Sequence, residues 1–98
     1  MIREFICAMI AEEKINYSKN LISENRKIKL SSGKLVEFGS KRHINELEKT
    51  INHLDFLRKN MIGSNKKLRK ERYTISKAIE SLRFMKRKAE KHNKQLNS

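Results

Sequence analysis

Lys27-Ile28-Lys29-Leu30-Ser31-Ser32-Gly33-Lys34-Leu35-Val36-Glu37-Phe38-Gly39-Ser40 is where the hydrophobic period of the chain changes, and its reading decides the fold. Ile28 and Leu30 precede a Ser-Ser-Gly turn, Val36 and Phe38 follow it, and a single charged residue splits each pair. That alternation sets both pairs on one side of a pleated ribbon, with Gly33 supplying positive φ at the turn. The segment from Lys27 to Phe38 therefore reads as a β-hairpin. Gly39-Ser40 closes it and opens a helix, because a serine hydroxyl at that position accepts a bond from a first-turn amide.

On either side the period is helical. Ile2, Phe5, Ile6, Met9 and Ile10, followed less regularly by Tyr17, Leu21 and Ile22, predict a first helix from about Ile2 to Asn25. Behind Ser40, the stripe Ile44, Leu47, Ile51, Leu54 and Met61 predicts a second helix ending near Asn60. Gly63-Ser64-Asn65 offers a C-terminal glycine followed by N-cap residues. A third helix then runs toward Asn93 or beyond on the seam Ile75, Ala78, Leu82, Met85, Ala89, His92 and Leu96, with fraying at its end. The short link favours an antiparallel helical hairpin. At about 1.5 Å per residue, a third helix roughly ten residues longer than the second projects about 15 Å past it or packs on another subunit. The exposed continuation of Met85, Ala89 and Leu96 favours the second option. The predicted class is α+β, mainly α: residues 1–98 form one small domain, with a helix-hairpin-helix module at 1–60 and a basic C-terminal helix at 61–98.

Composition agrees with a helical domain. Apolar residues make up 37% and charged residues 36%, with three Gly and no Pro, which suits neither a sandwich nor a disordered linker. Cys7 has no partner for a disulfide or a metal site, so it reads as a small core residue in a reducing compartment. The apolar run Phe5 to Ala11 is too short to span a bilayer and has no cleavage region, so the expectation is a protein neither secreted nor membrane-spanning.

Charge is concentrated at one end. Residues 1–60 hold twelve basic and eight acidic side chains, whereas residues 61–98 hold twelve and three. Lys66, Lys67, Arg69, Lys70, Arg72, Lys77, Arg83, Lys86, Arg87, Lys88, Lys91 and Lys94 all avoid the apolar seam. Glu71, Glu80 and Glu90 can pair with only a few of them through i,i+4 contacts, and unpaired like charges on one helix repel. A bound polyanion explains such a surface better than plain solvation does. The first ten of these residues are the predicted nucleic-acid contacts, made to backbone and tolerant of sequence because no recognition-helix pattern stands out. Tyr73, beside the first cluster, could stack on an unpaired base, but its simpler role is to cap the hairpin core. Membrane-surface binding is disfavoured because the seam offers Ala and Met rather than Trp, Phe or a run of Leu.

The helix, the hairpin with Gly33 in its turn and Val36-Glu37-Phe38 in its outgoing strand, and Ser40 with Ile44, Leu47 and Ile51 together resemble gpW, the head-to-tail joining family of lambdoid phages. The similarity covers about Tyr17 to Leu57. It implies an α+β module seated as a ring of subunits in a portal channel, helping to retain packaged DNA. The family's module ends after its second helix with a basic, largely unstructured tail, so the long third helix is a departure.

Catalysis finds little footing. His43, His53 and His92 are too far apart in sequence for two of them to meet one metal from a single helix face. His43, in a first turn, reads as solvated or capping, and His92 as a core-edge residue. Glu12-Glu13 and Glu46 with Glu48 diverge on a helix, and Ser31-Ser32-Gly33-Lys34 lacks the spacing of a P-loop. The predicted function is a non-catalytic binding protein without metal or cofactor, a virion joining subunit contacting nucleic-acid backbone as an oligomer or part of a larger assembly. The competing reading is a small inhibitor or adaptor that docks on an acidic protein surface or a nucleic-acid-binding host enzyme.

Overall fold

The computed structural model describes residues 2–23, 25–61 and 66–96, and the hairpin stands where the alternation puts it. β1 (Lys27–Lys29) and β2 (Leu35–Glu37) pair antiparallel with Ile28 opposite Val36. Two bonds extend the ladder: Phe38 N–H donates to the Arg26 carbonyl at 3.0 Å, and Leu30 N–H to the Lys34 carbonyl at 2.9 Å. Gly33, at φ +86°, closes the turn by donating its N–H to the Leu30 carbonyl. Ile28, Leu30 and Val36 are buried, while Lys27, Lys29 and Leu35 are exposed.

The first helix, α1 (Ile2–Leu21), stops short of the expected Asn25. Ile22 N–H makes the last helical bond, to the Ser18 carbonyl at 3.0 Å, and the Arg26 carbonyl is already committed to the hairpin ladder. Its packed face also differs from the expected stripe. Cys7, Ala11, Ser18 and Leu21 are buried, whereas Ile6 and Met9 are 51% and 67% exposed. Small side chains at three of these four positions let α1 approach its neighbours closely, and the Ser18 hydroxyl donates to the Ile15 carbonyl at 2.6 Å. The side chains of Ile2 and Phe5 lie outside the described residues.

Ser40 caps α2 (Lys41–Asn60) as its sequence position demands, accepting the His43 N–H at 3.2 Å. Leu47, Ile51, Leu54 and Leu57 form its buried stripe, with Met61 at the C-cap. The glycine expected to terminate it, Gly63, lies with Ser64 and Asn65 outside the described residues. In α3 (Lys66–Leu96) the buried positions are Ile75, Ile79, Leu82, Met85 and Ala89. Ile79 is thus buried beside the half-buried Ala78 that the seam had named, and His92 sits exposed at its edge.

Three contacts fix how α3 lies on α2. Asn93 Nδ2 donates to the Gly39 carbonyl at 2.8 Å, Arg58 Nη1 donates to Ser76 Oγ at 3.1 Å, and Arg72 Nη1 donates to the Met61 carbonyl. The pairing is antiparallel and places Arg72 level with the end of α2. Residues 66–71 therefore extend past α2 by about 9 Å. The overhang lies at the N-terminal end of α3, and Met85 and Ala89, expected to face another subunit, are buried within their own chain at 5% and 0% exposure. α1 runs antiparallel to α2, with Tyr17 bonded to Glu46 and Leu21 to His43, and also touches α3. The result is a three-helix body of 49 × 23 × 17 Å with the hairpin at the junction of α1 and α2.

Candidate nucleic-acid interface

Because the seam of α3 is occupied by α2 and α1, its remaining faces are left to solvent. Of the ten predicted contacts, Lys66, Lys67, Arg69, Lys70, Lys77, Arg83, Arg87 and Lys88 are exposed, and so are Lys91 and Lys94. The structure sets two of the ten apart. Arg72 is half-buried and spends its guanidinium on the Met61 carbonyl, where it caps the end of α2. Lys86 is half-buried and lies 3.9 Å from Glu90.

Lys77 and Glu80 stand 3.9 Å apart with both side chains mostly exposed, a distance at which solvent screens most of the attraction. The first turn of α3 carries no acidic residue, yet Lys66, Lys67, Arg69 and Lys70 crowd into its first five positions. Cations at the positive end of a helix dipole cost about 0.3–1 kcal/mol each at low salt, so helix stability alone disfavours this arrangement. An anion bound there would offset those costs by its own attraction to the cations and to the helix N-terminus. Leu68, between these cations, is half-buried against the core, so the first turn is anchored on one side while its cations are exposed on the others.

Tyr73 does not cap the hairpin core. It is 64% exposed, and Phe84, on the same helix, is 55% exposed. Lys77 Nζ lies 5.6 Å from the Tyr73 ring centroid, and Lys88 Nζ lies 5.2 Å from that of Phe84. Sequence reading missed this pairing although a signal was there: in both cases the lysine follows the aromatic by four residues.

Of the two roles expected of His43, the structure shows the capping one, and His92 lies at the edge of the core as expected. His43 is fully buried rather than solvated. Its Nδ1 accepts the Gly39 N–H at 3.1 Å and its Nε2 donates to the Leu21 carbonyl at 2.9 Å, which defines the neutral Nε2–H tautomer. Burial pushes its pKa below the ordinary histidine range, opposed in part by the Leu21 carbonyl. With both nitrogens engaged, His43 ties the end of α1 to the start of α2 and has no lone pair left for a metal or a substrate. His53 is half-buried on α2, its pKa lowered by burial and then by Lys14. Among the described residues no three His, Cys, Asp or Glu side chains gather as a metal ion would need. An open hollow of about 570 Å³ beside the hairpin is lined by Arg42, Glu46, Glu48 and Lys49 among neutral neighbours. Glu46 is held there by Tyr17, whose hydroxyl donates to it at 3.2 Å and accepts the Ser31 N–H at 3.0 Å. That bridge ties the hairpin turn to α2 through α1. Among the described residues no helix is long and apolar enough to cross a membrane. No family model, curated protein or solved structure matches the chain.

Proposed function

We propose that this protein is a non-catalytic subunit that binds nucleic-acid backbone through the outer surface of α3. The observation that carries the reading is the imbalance on that helix: ten exposed Lys and Arg against Glu71, Glu80 and Glu90, with four of the cations in its first five positions. Lysine ammoniums meet phosphates as point charges and carry no fixed hydrogen-bond pattern for base edges, so binding is tolerant of sequence. The favourable step is release of counterions condensed on the polyanion.

Within this reading the biological place we favour is a virion head-to-tail joining subunit, acting as an oligomer or inside a larger assembly, in the virion or the reducing cytoplasm. Its support is the resemblance to gpW, carried by the order helix, hairpin and capped helix over about Tyr17 to Leu57, together with the basic character of the C-terminal segment. Here the basic segment is a helix folded along α2, so the charge is presented on a rigid rod rather than on a loose tail.

The test is purification from expressing cells with and without nuclease at about 0.1 M salt, an ionic strength that leaves charge contacts partly screened. Co-purifying nucleic acid that disappears on nuclease treatment, leaving the protein alone, is the expected result. A stoichiometric protein partner that survives nuclease would overturn the proposal and point to an adaptor docked on an acidic protein surface.

A further inference from the structure

Two rows on the outside of α3 repeat at eleven residues: Lys66, Lys77 and Lys88 in one, Tyr73 and Phe84 in the other. Eleven residues make just over three full turns, so each row runs nearly straight along the helix. Tyr73 and Phe84 therefore point the same way, about 16 Å apart, each with a lysine folded over its ring. We infer that the polyanion this helix takes is single-stranded nucleic acid, with Tyr73 and Phe84 as two stacking platforms for unpaired bases and the interleaved cations on the phosphates.

The inference rests on the backbone-binding reading above, not on the joining-subunit place, and narrows it to one substrate class. Each ring, more than half exposed on a strongly basic helix, leaves apolar area in water that a flat, apolar-faced group with flanking negative charge would cover. Paired bases within a duplex keep both faces stacked and cannot reach the rings, whereas an unpaired strand can turn its bases outward. Base stacking on an aromatic outweighs an exposed cation–π contact, so an incoming base displaces the ammonium of Lys77 or Lys88. The displaced ammonium is then placed to meet the phosphate beside that base. At about 3.4 Å per stacked nucleotide, the two rings are roughly five nucleotides apart.

The surroundings of Phe84 fit this occupant. An open hollow of about 420 Å³ lies against the ring, with Ile22 and Met85 as apolar lining for a base, Ser81 as a polar group, and Arg87 as a cation beside the one carboxylate, Glu80. A second copy of this chain fits poorly, since two rings among Lys66, Lys70, Lys77, Arg87, Lys88 and Lys91 give neither the apolar seam nor the charge complementarity that helix pairing needs.

The experiment measures anisotropy of a labelled 16-nucleotide single strand and of a blunt duplex of the same length, with wild type, Tyr73→Leu, Phe84→Leu, the double variant and Tyr73→Trp. Each leucine variant is expected to weaken single-strand binding about fivefold or more, and the double variant about 25-fold or more. Duplex affinity and the salt slope stay unchanged, circular dichroism shows intact helix, and Tyr73→Trp restores wild-type affinity. Equal binding of strand and duplex by wild type and double variant alike overturns the stacking inference while leaving backbone binding standing. Absence of binding to either probe overturns both.

Discussion

Gly33 and Gly39 both have positive φ, +86° and +80°, but they differ in what surrounds them, and replacing each by alanine separates backbone strain from helix docking. A Cβ at Gly33 meets nothing within 4 Å. Gly33→Ala should therefore cost only the left-handed backbone penalty of about 1–2 kcal/mol, reduced by about 0.4–1 kcal/mol because alanine restricts the unfolded chain. A Cβ at Gly39 would lie 2.7 Å from His92 Cδ2, 3.2 Å from His92 Cβ and 3.2 Å from the Ala89 carbonyl oxygen. The imidazole can rotate away at the expense of its edge-on contact with Phe38, at 5.4 Å between centroids, but the carbonyl belongs to the α3 backbone and can yield only if the helix shifts. Such a shift strains the Asn93 bond to the Gly39 carbonyl and adds an overpacking cost of about 1–3 kcal/mol. Gly39→Ala should then lose about 2–4 kcal/mol, a large part of the roughly 5–15 kcal/mol that stabilises a domain. Urea unfolding followed by circular dichroism measures both variants. Adding His92→Ala to Gly39→Ala removes the closest contact and should recover about 0.5–1.5 kcal/mol through coupling between neighbours. Equal losses at the two glycines, or no relief from His92→Ala, would refute the docking of the C-terminal half of α3 on the hairpin exit.

Three further outcomes are expected. His43 has a pKa lowered in the folded state, so between that value and about 6.5 the unfolded chain holds the proton that the folded one refuses, and stability must rise with pH across this window. His53 contributes in the same direction, and two-dimensional NMR of the imidazole nitrogens should show His43 as the Nε2–H tautomer titrating below about 6.5, whereas a titration above that value contradicts its buried bridge. Arg72→Gln should destabilise by about 1.5–3 kcal/mol through loss of the Met61 carbonyl contact, while Arg69→Gln on the overhang changes stability by less than about 0.5 kcal/mol, both read as urea midpoints. Leu82→Ala, at a fully buried seam position, should cost about 2–5 kcal/mol, whereas Phe56→Ser, at a position 61% exposed, should cost under about 0.5 kcal/mol.

What the sequence revealed and what it hid follow from the range of the forces involved. The hairpin and the Ser40 cap were legible because period 2, a turn glycine and a cap hydroxyl act over a few residues. The end of α2 and the length of α3 followed from apolar periodicity in the same way. The phase of α1 was not legible. Apolar or small residues occupy every position from Phe5 to Ala11, so periodicity names no face, and Cys7 and Ala11 are selected by close packing instead. His43 carries no local sign of burial, since the partner that holds it inside is a carbonyl 22 residues away on α1, beside the Gly39 amide four residues before it. The overhang of α3 depends on its register against α2, which is set by Arg58 with Ser76, Arg72 with Met61 and Asn93 with Gly39. The cationic surface was readable almost residue by residue. Arg72 and the half-buried Lys86 were the exceptions, because a cation inside a helix looks alike in sequence whether it meets solvent or a neighbouring group of the fold.

Whether α3 meets nucleic-acid phosphates is decided by affinity for a single-stranded probe across a salt series. If about six of the exposed cations contact phosphates, the log–log slope should be near −4 for a single strand. A variant with Lys66, Arg69 and Lys70 changed to Gln, which leaves the Arg72 cap in place, should flatten that slope by about 2. A slope near zero, or one unchanged in the variant, would contradict backbone binding by this helix.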